Sequence, residues 1–381
     1  MMNVYLDNGS STRMDEQVVS AMKPYFKEIY ANPATIHKLG LNARKAVEES
    51  RNTIAESVNA NAEELFFTSG GTESNNWALK SAAFNAEEGK KHLITTPVEH
   101  NCVLKSCRWL EKQGFEVTYL PVDKYGMVDA DTLDDAIRDD TIIASIIHGN
   151  NEIGSINDAK TLGRICRDNN VLFHTDACQS YTKTPLDVKE QCIDLLTVNS
   201  HKIHGPNGIG ALYINPEIGF KPWQHGGGQE NGMRSGTVDV AGAVGFAKAV
   251  EVADESDVRQ MTRLRDKLIK GLAVTPESWL NGHPTDRLCN NVHVSFRHIE
   301  GEGILMHLDE RGIQVSTGSA CSSESLKPSH VLTAIGLKPE ESHGSIRYTL
   351  SRYTSEEDID YTIRQTIEAV QMTQENLMLL G

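Results

Sequence analysis

The chain has 381 residues, with 37 Lys plus Arg against 52 Asp plus Glu, for a formal net charge of −15 at pH 7. A surface this acidic argues against a nucleic-acid partner, because phosphate backbones are held by basic patches. A hydrophobic share of 39% with 23% charged residues is the composition of a soluble globular protein, not of a disordered one.

No apolar run approaches the roughly 18 residues that span a bilayer. The opening MMNVYLDNGSSTR shows no basic stretch followed by an apolar one, so no signal peptide is expected. The seven cysteines are scattered (102, 107, 166, 178, 192, 289 and 321) and include no CxxC pair. This spacing reads poorly as a disulfide framework or a Cys-rich zinc site, and it suits a reducing cytoplasm.

Taken in chain order, a helical stretch at 43–58 puts Ala43, Val47, Ser50, Ile54 and Val58 on one stripe. Short β-rich runs follow at 64–68, 92–96, 115–120, 141–147, 171–175, 194–198 and 209–214. Most are continuously apolar, as strands buried on both faces should be. Helical stretches at 72–85, 100–113 and 158–169 lie between them. Strand–helix alternation of this kind predicts an α/β fold, a mainly parallel sheet with helices on both faces. Near residue 250 the pattern changes. A charged helical stretch at 246–272 leads to strands at 290–296 and 344–350 and a final helix through 355–378, a smaller α+β unit.

The unusual residues are not spread evenly. SGGTE (69–73), Pro97–His100, Asn150–Glu152, Asp176–Gln179 and Ser200–Lys202 each follow a predicted strand. In an open parallel sheet, ligands bind at the carboxyl edge, so five such clusters predict one shared site. Gly70-Gly71-Thr72 before a helix suggests an anion cradle, since glycines admit close backbone approach and a helix N-terminus offers free N–H groups. The segment is neither a Walker A loop nor a dinucleotide GxGxxG.

Lys202, in NSHKIHGPNGIG, suits a Schiff-base lysine for a carbonyl cofactor. Pyridoxal 5'-phosphate accounts for its company. The ring nitrogen calls for a carboxylate such as Asp176, the phosphate for the 70–72 cradle, and the ring face for His100. A metal site from His174, Asp176, His201 and His204 is the weaker alternative, because no ligand spacing such as HExxH supports it. A serine hydrolase is weaker still without a GxSxG elbow. Cys321 lies in STGSACSSESLKPSH (316–330), whose small polar residues suit an exposed loop that presents a thiol. The other six cysteines read as structural, Cys178 least clearly because it sits inside the Asp176–Gln179 turn.

These residues resemble the cysteine desulfurases of the NifS/IscS type, within the class-V aminotransferase family of fold-type I pyridoxal-phosphate enzymes. The resemblance runs from YLDN (5–8) to RYTLSRYT (347–354) and rests on NPATIH (32–37), TSGGTESNN (68–76), VEHN (98–101), NNEIG (150–154), HTDACQS (174–180), SHKIHGPNGIGALY (200–213), HGGGQENGMRSGT (225–237) and TGSACSS (317–323). It implies a seven-stranded, mainly parallel sheet in a large domain at 13–257. It also implies a small domain from 1–12 and 258–381 that carries the cysteine loop at about 316–330.

The resemblance also implies roles. Lys202 would hold the cofactor covalently, Asp176 would pair with its ring nitrogen, and Gln179 with Asn151 would hold the ring hydroxyl. Gly71, Thr72, Ser200 and His201 would hold the phosphate, and Thr237 would reach the phosphate of a partner subunit in a homodimer. His100 would stack on the ring and move protons, and Arg347, rather than Arg352, would bind the substrate carboxylate together with Asn151. Cys321 would take sulfur from L-cysteine as a persulfide and release alanine. The sulfur would go to an iron–sulfur scaffold protein of the IscU type, or to tRNA or cofactor thiolation, with Cys321 as a transient iron–sulfur ligand shared with the scaffold. A selenocysteine lyase or other fold-type I enzyme, and a catalytically silent scaffold, are the alternatives. Cys321 argues against the first, and Lys202 with Cys321 against the second. Gly71 stands where Ala is usual, a change expected to be harmless in a backbone cradle.

Overall fold

The computed structural model describes residues 2–317 and 328–380, with side chains through residue 373. The apolar runs expected as strands pair into one seven-stranded sheet. In chain order these are Leu65–Thr68, His92–Thr95, Glu116–Tyr119, Thr141–Ser145, Leu172–Asp176, Leu195–Asn199 and Gly210–Ile214. His92–Thr95, Glu116–Tyr119, Thr141–Ser145, Leu172–Asp176 and Leu195–Asn199 form a continuous parallel set. Gly210–Ile214 is antiparallel to Leu195–Asn199 on one side and to the edge strand Leu65–Thr68 on the other. A single reversed strand therefore leaves Thr68 with its carboxyl end at the same edge as Ser145, Asp176 and Asn199.

Five of the seven strands are buried along their whole length, which is why they read as unbroken apolar runs. The helix Lys38–Glu56 buries the expected stripe, with Ala43, Val47, Ser50 and Ile54 inside and Val58 just beyond its end. Helices Gly71–Asn85, Asn101–Glu111 and Ala159–Asp168 alternate with the strands as the periodicity indicated. The 246–272 stretch is not one helix. It divides into Val240–Glu251 and Glu255–Leu272, because Asp254 accepts the Ser256 N–H and starts a new helix.

A four-stranded sheet holds Ser278–Leu280, Asn291–Phe296, Ser345–Thr349 and Ser316–Thr317. Its apolar cluster joins Val4 and Leu6 to Leu264, Phe296, Tyr348 and Ile359. The N-terminal strand Val4–Tyr5 pairs in parallel with Ile313–Gln314. Thr349 N–H donates to Leu6 O at 2.6 Å, and Asn8 Nδ2 donates to Thr349 O at 2.8 Å. These bonds carry residues 9 and 10 across to the carboxyl edge of the large sheet. On the far side, Arg287 donates to Ile153 O at 3.1 Å and Asn291 to Glu152 O at 3.0 Å, gripping the 150–154 turn.

Candidate active site

All five polar clusters meet in one cavity of about 290 Å³. Gly70 to Glu73, His100, Asn151, Asp176 to Gln179 and His201–Lys202 contribute to its wall. Gly70 has φ 143° and ψ −179°, a conformation open in practice only to glycine. It turns the chain from strand into helix, so that the helix Gly71–Asn85 begins in the cavity with its first N–H groups lacking intrahelical acceptors.

Asp176 ends its strand and is buried. Its Oδ1 accepts the Cys178 N–H at 2.9 Å, and its Oδ2 accepts Asn75 Nδ2 at 2.6 Å. Lys202 Nζ donates to the carbonyls of Gly9 and Ser10, the latter at 2.7 Å. Burial, with the Arg347 charge second, pushes the Lys202 amine down to about 8. A buried amine without a carboxylate partner keeps a far larger neutral fraction near physiological pH than a free lysine does, and the neutral form is the nucleophile. Lys183, itself buried and pushed down to about 8, donates to Gln179 O at 3.0 Å and to Lys202 O at 3.1 Å, tying the two turns together. Gln179 Nε2 shares the Gly9 carbonyl at 2.9 Å.

His100 caps the helix Asn101–Glu111. Burial holds its imidazole below the ordinary range. His201 is pushed down to about 4 by burial, then by Lys202 and Lys183. Arg347 spans the junction, donating to Asn151 O at 2.9 Å, Asp7 Oδ1 at 2.9 Å and Ser10 Oγ at 2.8 Å.

The residues fit a phosphorylated aromatic aldehyde. Ser200 Oγ, Asn199 Oδ1 and Asn151 Oδ1 are buried without a protein hydrogen-bond partner, and they border or line the cavity. A helix N-terminus with neutral polar side chains suits a phosphate, Asp176 suits a ring nitrogen, and Lys202 supplies the amine.

Thr237 does not line this chain's own cavity and is exposed. Its segment is fastened by the buried Arg51–Glu230 pair at 2.6 Å and by Arg234–Glu73 at 2.8 Å. Cys321 lies outside the described residues. Two of the three histidines of the alternative metal reading are engaged elsewhere, His174 between Ser145 Oγ and Thr197 Oγ1 and His204 on Arg13 O, while His201 lines the cavity. Among the described residues no His, Cys, Asp or Glu cluster could hold a metal ion. No described helix is long and apolar enough to cross a membrane.

Two cysteines read as structural prove to line the cavity, Cys102 and Cys178. The missing side chain at Gly71 also has a packing consequence in this chain. A Cβ there would stand 2.6 Å from Cys178 Sγ, so the glycine makes room for the thiol. Asn75 went unassigned in the sequence reading, although it lies inside TSGGTESNN and its motif position was the available signal.

With this geometry in place, comparison with known proteins is direct. The aminotransferase class-V family matches residues 4–362. A cysteine desulfurase IscS of Methanosarcina thermophila is 50% identical over 371 residues, covering 97% of this chain and 92% of that protein. A solved NifS-like protein superposes with a TM-score of 0.91 at 37% identity, covering 97% of this chain and all of that one. A solved structure described as SspA in complex with cysteine has a TM-score of 0.84 at 37% identity, covering 93% of this chain and 100% of that chain. The chain belongs to the aminotransferase class-V family of pyridoxal-phosphate enzymes. Within that family it stands with the cysteine desulfurases.

Proposed function

We propose that this pyridoxal-phosphate enzyme takes sulfur from L-cysteine, leaving a persulfide on Cys321 and releasing L-alanine. The observation that carries the reading is the meeting of the Lys202 amine, the Asp176 carboxylate and the Gly71–Thr72 helix start in one cavity. Lys202 would hold the cofactor covalently, and Asp176 would pair with its ring nitrogen. Gln179 and Asn151 hold the ring hydroxyl, while Gly71, Thr72, Ser200 and His201 hold the phosphate. Bound pyridoxal phosphate supplies an electron sink for the substrate carbon that gives up its proton. Arg347, already fixed by Asp7 and Asn151, presents its guanidinium to the substrate carboxylate, with Asn151 beside it. The Lys202 amine and the His100 imidazole, both lining the cavity, would move protons.

The Cys321 thiolate attacks the substrate sulfur. The S–S bond forms as the substrate C–S bond breaks, its electron pair stays with carbon, and a proton completes alanine. The balance is L-cysteine plus enzyme thiol to L-alanine plus enzyme persulfide. Thr237, exposed on its fastened segment, serves the cofactor phosphate of a second copy in a homodimer. The sulfur leaves for an iron–sulfur scaffold protein of the IscU type in the cytoplasm, with Cys321 as a transient cluster ligand.

Cys321→Ser tests the reading. Alanine production from cysteine is expected to stop while the cofactor's visible absorption persists, and retained alanine production refutes it. Labelled cysteine followed into a scaffold protein tests the acceptor, and label that stays on the enzyme removes the scaffold from the scheme.

A further inference from the structure

Cys102 is the second residue of the helix that His100 caps, and it lines the cavity. Its Sγ is 2.9 Å from His100 Nδ1, and the same nitrogen accepts the Cys102 backbone N–H at 3.2 Å. An N–H arriving at Nδ1 needs a lone pair there, so the neutral ring carries its proton on Nε2. On its other side Cys102 Sγ accepts from Asn75 Nδ2 at 3.2 Å, and Asn75 also donates to Asp176 Oδ2 at 2.6 Å. The carboxylate settles which way the Asn75 amide faces, because only its NH2 end can donate to Asp176. Asn75 and Thr72 both bond the sulfur in the sense that favours its charged form, as donors, so the thiol's own proton is directed at His100 Nδ1, whose lone pair it shares with the Cys102 backbone N–H.

We propose that Cys102 is a positioning residue for His100: its S–H, held by Asn75, completes a hydrogen-bonded run Asp176–Asn75–Cys102–His100 that keeps the ring neutral, with its proton on the nitrogen remote from the helix. The run joins the carboxylate that would pair with the cofactor's ring nitrogen to the imidazole that would move protons. Burial, with the Asp176 charge second, pushes the thiol up to about 12, so Cys102 acts as a donor and not as a second nucleophile. Around His100, Asp176 favours the charged ring, whereas Lys202, His330 and Lys105 oppose it, and burial opposes it most. The S–H adds to that opposition, since a proton entering at Nδ1 has to displace it.

The inference rests on the role of His100 given under Proposed function, but its first test does not. Long-range proton–nitrogen spectra of nitrogen-15 histidine-labelled holoenzyme, with His100→Gln to assign the ring, report which nitrogen holds the proton. Wild type and Cys102→Ser are expected to show an unprotonated Nδ1 and a protonated Nε2. Cys102→Ala is expected to move the ring's titration upward by about half to one pH unit, roughly a 3- to 10-fold change in the protonation equilibrium for one neutral hydrogen bond. The acidic limb of alanine production is expected to follow in Cys102→Ala and to return in Cys102→Ser.

A proton on Nδ1 in the wild-type enzyme overturns the proposal without needing any variant. An identical titration in Cys102→Ala overturns it as well. A titration that shifts while the activity profile stays put supports the Cys102 contact and refutes the proton-moving role of His100.

Discussion

Replacing Gly71 with alanine isolates the most specific packing constraint in the site. The new methyl carbon would lie 2.6 Å from Cys178 Sγ, with Asn199 Nδ2 at 3.6 Å and Thr197 Cγ2 at 3.7 Å. Attractive contact between such atoms begins at about 3.5 Å, so the overlap with sulfur is roughly 1 Å while the other two neighbours are comfortable. Cys178 is buried at the Asp176 turn and has little freedom to withdraw. Overpacking of this kind costs about 1–3 kcal/mol. The cost falls on the segment proposed to cradle the phosphate, so on that proposal cofactor affinity should drop together with stability.

The backbone at Gly71 is helical, so a side chain there is otherwise welcome. In a Cys178→Ala background the same Gly71→Ala change should therefore become neutral or stabilising by about 0.4–1 kcal/mol. The four proteins of the double-mutant cycle, compared by urea unfolding and by titration of apoenzyme with pyridoxal phosphate, should give a coupling of about 1–4 kcal/mol. Equal effects of Gly71→Ala in both backgrounds would refute the account, because the clash would then not be with sulfur.

Cofactor uptake by apoenzyme should rise with pH and level off above about 8 rather than near 10.5, because burial and Arg347 hold the Lys202 amine down. Arg347→Gln removes a positive neighbour and should move that midpoint upward, as followed by visible absorption. Glu99 is fully buried, and burial pushes its carboxyl up to about 8 from 4.5, so the folded protein holds a proton that the unfolded chain releases. Its contribution is complete below 4.5 and is lost as pH rises through about 8; the ceiling is on the order of 5 kcal/mol. Glu99→Gln should flatten the fall in unfolding free energy between pH 5 and 8, with a residual slope from Glu152, which burial also raises. Arg51→Met strands the buried Glu230 carboxylate and should cost about 3–5 kcal/mol in urea unfolding. The same change loosens the segment bearing Thr237, so if the proposed homodimer forms, its dissociation measured by sedimentation should shift to higher protein concentration.

The large sheet was legible because its signal is local. A strand buried on both faces must be apolar at consecutive positions, and the 141–145, 195–199 and 210–214 runs have no exposed face to interrupt them. The site was legible for a related reason. In a parallel sheet the chain returns through a helix to the same edge, so polar residues placed after successive strands converge whatever the strand order. Lys202, Asp176, His100 and the 70–72 turn could thus be assigned to one place from their positions in the chain.

The break at Asp254 was less visible, since charged residues fit both a long exposed helix and two capped ones. Contacts between segments distant in the chain were not visible at all. Gly9 and Ser10 reach Lys202 because Leu6 pairs with Thr349, a relation across 343 residues that leaves no periodic mark. The same holds for Cys102 and Cys178. Cys102 follows His100 by two residues and Cys178 lies inside the Asp176–Gln179 turn, but the partner of each thiol depends on how it packs against the helix Gly71–Asn85. Element type follows from short-range patterning, whereas the partner of a buried thiol is set by packing between layers, which the order of residues along the chain does not express.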